Sequence, residues 1–210
     1  MNRPLRLGLT GPIGCGKSTI SGWLAARPGI VTVDADDVAR EVLAAGTPQV
    51  EAVYERFGEA LRRRDGTLDR AGLGALVFDD PPALAALEAI VHPAVRPRIL
   101  AAIERAESDG ADAVIVEAIK LVEGGLATLC DEVWLVTCDR ATSLARTVGR
   151  GASEDDARRR IDAQADLTDR LRPHATRVVD TSTSMDETRA VVDDALEDAL
   201  ARHAAAARPT

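Results

Sequence analysis

Residues 11–18 read Gly11-Pro12-Ile13-Gly14-Cys15-Gly16-Lys17-Ser18, which matches the phosphate-binding pattern G-x-x-x-x-G-K-[ST]. Residues 5–9 alternate leucine with other residues as in a short strand, and residues 20–24 carry apolar side chains at helical spacing. The glycines allow backbone N–H groups to point at phosphate oxygens, and the following helix directs its positive end at them. The sequence therefore predicts a nucleotide-phosphate site in which Lys17 supplies a positive charge and Ser18 binds Mg²⁺.

The composition fits one hydrophobic core and limits the kinds of partner. The chain has 210 residues, of which 46% are hydrophobic, enough for one substantial core with small insertions. A net charge of −8 argues against a nucleic-acid binder or a basic membrane-surface protein, since both need a positive face. Aromatic residues make up 2% of the chain, so platforms for stacking bases are scarce. We therefore expect a single domain that binds neither nucleic acid nor membranes.

The cysteines and the N-terminal sequence favour a cytoplasmic protein. Cys15, Cys130 and Cys138 form neither a C-x-x-C pair nor a disulfide framework, so we expect reduced thiols. We expect Cys15 to fill space within the loop and to act mainly through its backbone N–H. The chain starts without a charged and then apolar leader, and no apolar run is long enough to span a bilayer. We therefore expect neither export nor anchoring.

Strand and helix patterns alternate along the chain and predict an α/β fold. Short segments rich in Val, Ile or Leu predict strands at residues 6–10, 30–34, 113–117, 132–138 and 177–180. The helices predicted between them include residues 36–45, 48–57, 70–78 and 81–108, the last broken at His92-Pro93 or at Pro97. Strands that alternate with helices indicate a five-stranded parallel sheet flanked by helices.

Two segments depart from this alternation. The long crossover between the second and third strands contains several helical patterns, which predicts an inserted helical lobe at about residues 37–101. A charged helical segment at residues 142–164 follows the fourth strand and is typical of a mobile cover, so we predict a helical lid at about residues 141–166. The core of the single domain would then comprise about residues 1–36, 102–140 and 167–203.

The carboxyl ends of the strands are where chemistry is expected, because ligands of open parallel sheets bind there. Asp34 and Asp36 end the second strand, and at least one of them could take or orient the proton of an accepting hydroxyl during phosphoryl transfer. The alternative is that one of them caps the helix that begins at Asp37. Arg40, one helical turn beyond Asp36, could bind a phosphate of the acceptor or could be a solvated helix charge.

Glu117 and Lys120 lie at the carboxyl end of the predicted third strand, where chemistry is likewise expected. Glu117 is at the strand terminus, where it could hold Mg²⁺ or its waters together with Ser18. Lys120 and Lys17 are the two lysines of a chain that otherwise uses arginine for positive charge. This favours a compact ammonium group at a ligand, although an incidental surface lysine is the alternative.

Three further basic residues are candidates for ligand contacts. Arg146 and Arg150 are four residues apart on one face of the predicted lid, so closure could bring both guanidinium groups to the transferred phosphate. The alternative is a charged face in solvent. His92 precedes Pro93 in the helical lobe and could contact a ligand or be a buried structural histidine.

Longer stretches of the chain closely resemble the dephospho-CoA kinases. They include Leu9 to Thr19, Val33-Asp34-Ala35-Asp36, Ala39-Arg40-Glu41-Val42, Asp65-Gly66-Thr67-Leu68-Asp69-Arg70 and Ile90-Val91-His92-Pro93. The resemblance continues through Leu121-Val122-Glu123, Leu144-Ala145-Arg146 and Val179-Asp180, and it covers nearly the whole chain to about Val192. The order and spacing of these stretches are more specific than the loop motif alone.

The resemblance implies a cytoplasmic enzyme that uses ATP and Mg²⁺ to phosphorylate the ribose 3′-hydroxyl of dephospho-CoA, the last step of coenzyme A synthesis. It implies that Asp36 is the general base, that Arg146 is the charge-stabilising lid residue and that the helical lobe holds dephospho-CoA. The expected ATP site comprises Gly11, Pro12, Ile13, Gly14, Cys15, Gly16, Lys17, Ser18, Thr19, Arg146, Arg150 and Thr181. The expected acceptor site comprises Asp34, Asp36, Arg40, His92 and Lys120. We expect a monomer or a weak homo-oligomer.

The chain differs from the family's pattern in two places. Residues 119–123 read Ile-Lys-Leu-Val-Glu where the family usually begins Pro-Leu-Leu, which changes the predicted acceptor-side wall. Asp180-Thr181 stands where the family usually has Asp-Asn near the adenine, which favours base recognition by backbone groups. The altered segment leaves open a kinase for another small acceptor, such as a nucleoside or nucleoside monophosphate. A nucleotide-dependent switch is a third alternative, which the large lobe, the aspartate pair and the lid arginines disfavour.

Overall fold

A central parallel sheet organises the chain. A computed structural model describes residues 3–78 and 80–206. Its strands are β1 (Leu5–Thr10), β2 (Ile30–Asp34), β3 (Ala113–Glu117), β4 (Glu132–Thr137) and β5 (Arg177–Asp180), in the order β2-β3-β1-β4-β5. The predicted α/β fold with a five-stranded parallel sheet is confirmed. Two predicted strand ends were slightly wrong, because β1 begins at Leu5 and β4 ends at Thr137.

The strand β1 lies at the centre of the sheet and positions the loop that follows it. It pairs in parallel with β3, with Leu9 opposite Glu117, and with β4, with Thr10 opposite Leu135. Both faces of these strands are covered, so the side chains of β3 are buried along its whole length. The first residues after β1 therefore emerge beside the ends of β3 and β4.

Helices on both faces cover the sheet within the first of two compact units, which comprises the chain up to Val33 and from Ile103 onward. Its complete helices are α1 (Lys17–Ala25), α6 (Arg140–Gly149), α7 (Glu154–Asp162), α8 (Leu167–Leu171) and α9 (Met185–Ala206). Apolar side chains of α1 and α9, among them Leu24 and Leu196, form one core cluster with β1 and β4. On the other face, Leu135 packs with Leu167 and Leu171 of α8.

The second compact unit, Asp34–Ala102, is helical. It contains α2 (Ala35–Val42), α3 (Pro48–Phe57), α4 (Arg70–Val77) and most of α5 (Pro81–Ser108). Thr47 caps α3 by accepting a hydrogen bond from the Val50 N–H, and Pro48 occupies the first helical position. Arg62 lies over the ring of the buried Tyr54, 4.0 Å from its centroid.

The helix α5 corrects the predicted break at His92-Pro93 or Pro97, because it continues through both prolines. A proline inside a helix costs about 3 kcal/mol through its missing N–H and its ring clash. Val91, Val95 and Ile99 recur every four residues on one face and are buried. Burying each such side chain contributes roughly 1.5–3 kcal/mol, so the stripe offsets the cost of the prolines.

Three other predicted helices differ from those observed. The helix predicted at residues 36–45 is α2, which ends at Val42, and the one predicted at residues 70–78 is α4, which ends at Val77. The segment predicted as helical at residues 142–164 is two helices, α6 and α7, separated by residues that include Gly151 with φ +96°. Glycine accepts that conformation without the cost that a side chain would add, so the chain can turn between the two helices.

Candidate active site

The loop between β1 and α1 is shaped by glycines. Gly11 has φ +142°, and a Cβ atom there would overlap the carbonyl oxygen of Val136 in β4. Gly16 adopts the left-handed conformation, with φ +91°, at the N-cap of α1. Side chains are therefore excluded at Gly11 by contact and disfavoured at Gly16 by conformation, which leaves the backbone of the loop close to any bound phosphate.

Lys17, the first residue of α1, lies across this loop. Its side chain is largely buried, and Nζ donates hydrogen bonds to the carbonyl oxygens of Gly11 at 2.8 Å and Pro12 at 3.0 Å. The ammonium group is thus held at the same end of the helix as the backbone N–H groups of its first turn. Together they make a positive site for an anionic ligand.

Ser18 and Glu117 meet next to the loop. The Ser18 hydroxyl donates a hydrogen bond of 2.8 Å to Oε1 of Glu117, which is buried at the end of β3. A hydroxyl and a carboxylate are the oxygen ligands that Mg²⁺ prefers. No group of three or more His, Cys, Asp or Glu side chains converges on a possible metal position in the part of the chain that the structure describes. The chemistry of Ser18 and Glu117 therefore fits a Mg²⁺ site, which these two residues would help to hold.

Arg146 lies on the helix α6, which is fixed to the loop from its first turn. Asp139 caps α6 by accepting a hydrogen bond from the Thr142 N–H, and this hydrogen bond lowers the pKa of the Asp139 carboxyl. One turn later, the Ser143 hydroxyl donates to the carbonyl oxygen of Ile13 within the loop at 2.8 Å. The helix therefore brings Arg146 to the side of the loop.

The guanidinium group of Arg146 donates two hydrogen bonds to Thr181, directly after β5. Nη1 donates to the Thr181 hydroxyl and Nη2 to the Thr181 carbonyl oxygen, each at 2.8 Å. The same hydroxyl donates to the carbonyl oxygen of Cys15 at 2.9 Å. Arg146 is thus tied through Thr181 to the phosphate-binding loop.

A cavity of about 320 Å³ opens between the loop and α9. Its apolar lining includes Ile20, Trp23 and Met185, and its polar lining includes Thr19, Arg146, Arg150, Thr181 and Thr188. A cleft of this size, with apolar walls and a few polar groups, is typical of a small-ligand site. The volume and the adjoining loop fit the nucleoside part of a nucleotide.

The prediction from sequence missed the apolar walls of this cavity. Trp23 belongs to the helical pattern that follows the loop, so its place on α1 was available as a signal. Met185 is the first residue of α9, and its sequence surroundings give no indication that it meets the loop. Only the packing of α9 beside α1 brings the two together.

Arg150 and Lys120 were both predicted to contact a ligand, and they differ in whether they line this cavity. Arg150 is exposed, lines the same cavity as Arg146 and donates from Nε to the Arg146 carbonyl oxygen at 3.3 Å. Lys120 is exposed in the turn after β3 and does not line that cavity. Within this unit, therefore, Arg150 adjoins the candidate nucleotide site, whereas Lys120 does not.

The remaining predicted site residues belong to the second unit. Asp34 is the N-cap of α2, where Oδ1 accepts from the N–H groups of Asp36 at 2.7 Å and Asp37 at 3.3 Å. The capping role considered for this pair thus falls to Asp34, and Asp36 is exposed in the first turn of the helix. Arg40 is exposed and pairs with Asp37, and His92 is partly buried within α5.

The cysteines contradict the prediction that they form no disulfide. Cys15 in the loop and Cys138 directly after β4 are bonded, with a Cα–Cα distance of 5.1 Å. The 123 residues between them conceal this pairing in the sequence, because it depends on β1 and β4 being neighbours in the sheet. Cys130 carries a free thiol, and burial raises its pKa to about 12.

Comparison with known proteins gives consistent matches over most of the chain. A family model described as dephospho-CoA kinase matches residues 5–187. The chain is 43% identical over 190 residues to a protein named dephospho-CoA kinase from Symbiobacterium thermophilum, which covers 90% of this chain and 79% of the relative. It is 44% identical over 200 residues to one from Streptomyces avermitilis, with 94% and 95% covered.

Solved structures agree with these matches. A dephospho-CoA kinase from Campylobacter jejuni superposes with a TM-score of 0.67 at 26% identity, covering 94% of this chain and 97% of that one. A Thermus thermophilus protein gives a TM-score of 0.78 at 32% identity, covering 96% and 98%. A shikimate kinase from Acinetobacter baumannii, at 16% identity with a TM-score of 0.54 and 95% and 94% covered, shares the fold.

Proposed function

The chain belongs to the dephospho-CoA kinase family, and we propose that it transfers the γ-phosphate of ATP to the ribose 3′-hydroxyl of dephospho-CoA, giving coenzyme A and ADP. The match of the family model to residues 5–187 carries this proposal. The glycine-shaped loop, the buried Lys17 and the adjoining cavity support it independently, because a kinase needs a site for the phosphates of its nucleotide.

The ATP phosphates would lie in the loop at residues 11–18. Backbone N–H groups at the start of α1 would donate to their oxygens, and Lys17 would neutralise part of their charge. The nucleoside would occupy the cavity beside Trp23 and Met185, whose apolar surfaces suit the faces of a base. Ile13, within the loop, and Thr19, directly after it, complete this predicted site.

Ser18 and Glu117 are the residues proposed to hold Mg²⁺. The ion would neutralise negative charge that develops on the phosphate oxygens. The hydrogen bond between Ser18 and the buried Glu117 supports this assignment, since it keeps both oxygens at one edge of the loop. Glu117 would also act by orienting the Ser18 hydroxyl.

Asp36 is proposed as the general base. Its carboxylate would accept the proton of the 3′-hydroxyl as the oxygen attacks the γ-phosphorus, and positioning and charge neutralisation would provide the rest of the acceleration. The place of Asp36 supports this choice, because it is exposed in the first turn of α2, directly after the carboxyl end of β2. Arg40, His92 and Lys120 are proposed to bind the acceptor, and Arg146 and Arg150 to stabilise charge on the transferred phosphate.

The proposed partners are ATP and dephospho-CoA, with the protein in the cytoplasm as a monomer or weak homo-oligomer that binds neither nucleic acid nor membranes. In the described ranges, 3–78 and 80–206, no helix has both the length and the apolar character needed to cross a bilayer. The net charge of −8 also disfavours association with polyanions.

Measuring ADP release with different acceptors tests this function. We expect turnover that depends on dephospho-CoA and Mg²⁺, with a product heavier than dephospho-CoA by one phosphate. Activity with nucleosides or nucleoside monophosphates and none with dephospho-CoA would reassign the acceptor. Hydrolysis of ATP that is independent of every acceptor would contradict a kinase.

A further inference from the structure

Thr181 uses all of its polar groups to connect three parts of the molecule. Its N–H donates to the carbonyl oxygen of Thr137, where β4 ends, at 2.9 Å. Its hydroxyl donates to Cys15 of the phosphate-binding loop and accepts from Arg146 of α6, and its carbonyl oxygen accepts a second hydrogen bond from Arg146. With 2% of its surface exposed, Thr181 has little hydroxyl left for a ligand.

We propose that Thr181 is a positioning residue, which holds the Arg146 guanidinium group beside the loop before ATP binds. The inference rests on the proposed function, in which Arg146 acts on the transferred phosphate. Although Thr181 lines the nucleotide cavity, it acts through Arg146 and not by binding the base. The chain thus uses threonine at this position to support an arginine.

The two hydrogen bonds from Arg146 fix the orientation of its guanidinium group as well as its distance from Thr181. Nη1 and Nη2 reach two oxygens of one residue, so the plane of the guanidinium group is set as well as its position. A free arginine side chain has many rotamers, and restricting them in advance reduces the ordering that must occur during phosphoryl transfer. Arg146 therefore meets the γ-phosphate already oriented.

The hydroxyl of Thr181 takes part in two hydrogen bonds, donating in one and accepting in the other. It has one proton, which goes to the Cys15 carbonyl oxygen, so a lone pair faces Nη1 of Arg146. Valine has the same shape but can make neither bond, and serine can make both. This difference allows a test that separates the hydroxyl from the packing of the side chain.

The test compares Thr181→Val and Thr181→Ser by steady-state kinetics with ATP and dephospho-CoA. We expect Thr181→Val to lower kcat by about tenfold or more, as lost positioning does, with the KM for both substrates changed less than about threefold. Thr181→Ser should stay within about threefold of the wild type. A valine variant with normal kcat, or a serine variant as impaired as valine, would overturn the proposal.

Coupling to Arg146 distinguishes positioning from a structural role. In an Arg146→Ala background, Thr181→Val should change kcat less than about twofold, because the group that it positions is absent. If the two losses multiply, Thr181 acts independently of Arg146 and the proposal fails. Thr147→Val is the matched control, since Thr147 is a buried threonine of α6 whose hydroxyl donates to Ser143 and not to Arg146.

Two measurements keep the outcome interpretable. Thermal melting is compared first, and if Thr181→Val is unfolded, Thr181→Ala gives the same test because it removes the hydroxyl without adding bulk. Turnover of dephospho-CoA by the wild type is established separately. Its absence would overturn the proposed function, whereas normal wild-type turnover with an unimpaired Thr181→Val variant would overturn only the role of Thr181.

Discussion

Lys17 carries a charged side chain that is buried against the loop between β1 and α1. Only 8% of its surface is exposed, and two carbonyl oxygens of the loop accept hydrogen bonds from its ammonium group. Those carbonyl groups compensate for the loss of water around a buried charge. The same hydrogen bonds hold the ammonium group against the first residues of the loop, where we expect phosphate oxygens to bind.

Replacement of Lys17 tests the phosphate-binding role of the loop. We expect Lys17→Ala to abolish activity and to weaken ATP binding by about tenfold or more, because a charge-assisted hydrogen bond contributes roughly 1.5–3 kcal/mol. Calorimetric titration with ATP provides the measurement. An affinity equal to that of the wild type would show that the loop binds something else.

The proposed base calls for a different substitution. We expect Asp36→Asn to keep ATP binding while lowering kcat by about a hundredfold or more, the usual range for general-base assistance. Glu41→Gln is a suitable control, because Glu41 is exposed on the same helix and has no proposed role. Near-normal turnover of the Asp36 variant in the ADP-release assay would rule out this assignment.

The positions of single residues were predictable where a local sequence motif indicated them. The loop pattern predicted that Lys17 and Ser18 begin the helix after the loop, and the strand end predicted that Glu117 lies beside Ser18. The two hydrogen bonds that Arg146 donates to Thr181 were not predictable, because they join residues 35 positions apart. The same holds for the disulfide, which only the neighbouring strands bring together.

At the scale of elements, α6 is attached to the loop, and this attachment determines where Arg146 lies relative to the loop. Asp139 caps the helix at its first turn, and Ser143 joins it to Ile13. Hydrogen bonds from the N–H and the hydroxyl of Thr142 favour the ionised carboxylate, which is why the pKa of Asp139 lies below its ordinary value. The cap should therefore influence both stability and turnover.

The Asp139 cap has a definite pH dependence. Because the pKa of Asp139 is lower in the folded than in the unfolded protein, its contribution is present above the unfolded pKa of about 3.9 and is lost as the pH falls through the folded value. We expect Asp139→Ala to lower the melting temperature at pH 7 and by less at about pH 2, well below the unfolded pKa, where the carboxyl is increasingly protonated in the folded protein as well. Asp155→Ala, in the first turn of α7, is the control. An equal loss at both pH values would contradict the cap.

The elements also show where local sequence is decisive. The strands β2, β3 and β5 have the predicted bounds, because short runs of Val and Ile between turn signals leave few alternatives. The helix α5 was predicted with a break because proline is unfavourable in helix interiors. Burial of Val91, Val95 and Ile99 outweighs that preference, and burial is a tertiary property that a local pattern does not contain.

At the scale of the whole molecule, the sheet order places the loop between the ends of two buried strands. The loop follows β1, and Glu117 ends one neighbour of β1 while Cys138 follows the other. The alternation of strands and helices predicted this kind of sheet, and the resemblance predicted the family. The cavity proposed to hold the nucleoside was beyond such reasoning, since its apolar wall combines side chains of α1 and α9.

The disulfide between Cys15 and Cys138 has a measurable effect on the whole chain. Joining residues 123 positions apart restricts the unfolded state and contributes about 4–5 kcal/mol in the loop-entropy account. We expect reductant to lower the melting temperature by roughly 8 °C or more in protein purified without reductant. The effect should persist in Cys130→Ser and be absent in Cys138→Ser. Three reactive thiols in the denatured, unreduced protein would contradict the bond.

A crystal structure with a non-hydrolysable ATP analogue and dephospho-CoA tests the central claim most directly, because it locates both reacting groups. We expect the β- and γ-phosphates within the loop at residues 11–18, and the ribose 3′-oxygen within hydrogen-bonding distance of the Asp36 carboxylate and in line with the γ-phosphorus. Phosphates bound elsewhere, or a 3′-oxygen that meets no carboxylate, would contradict the account.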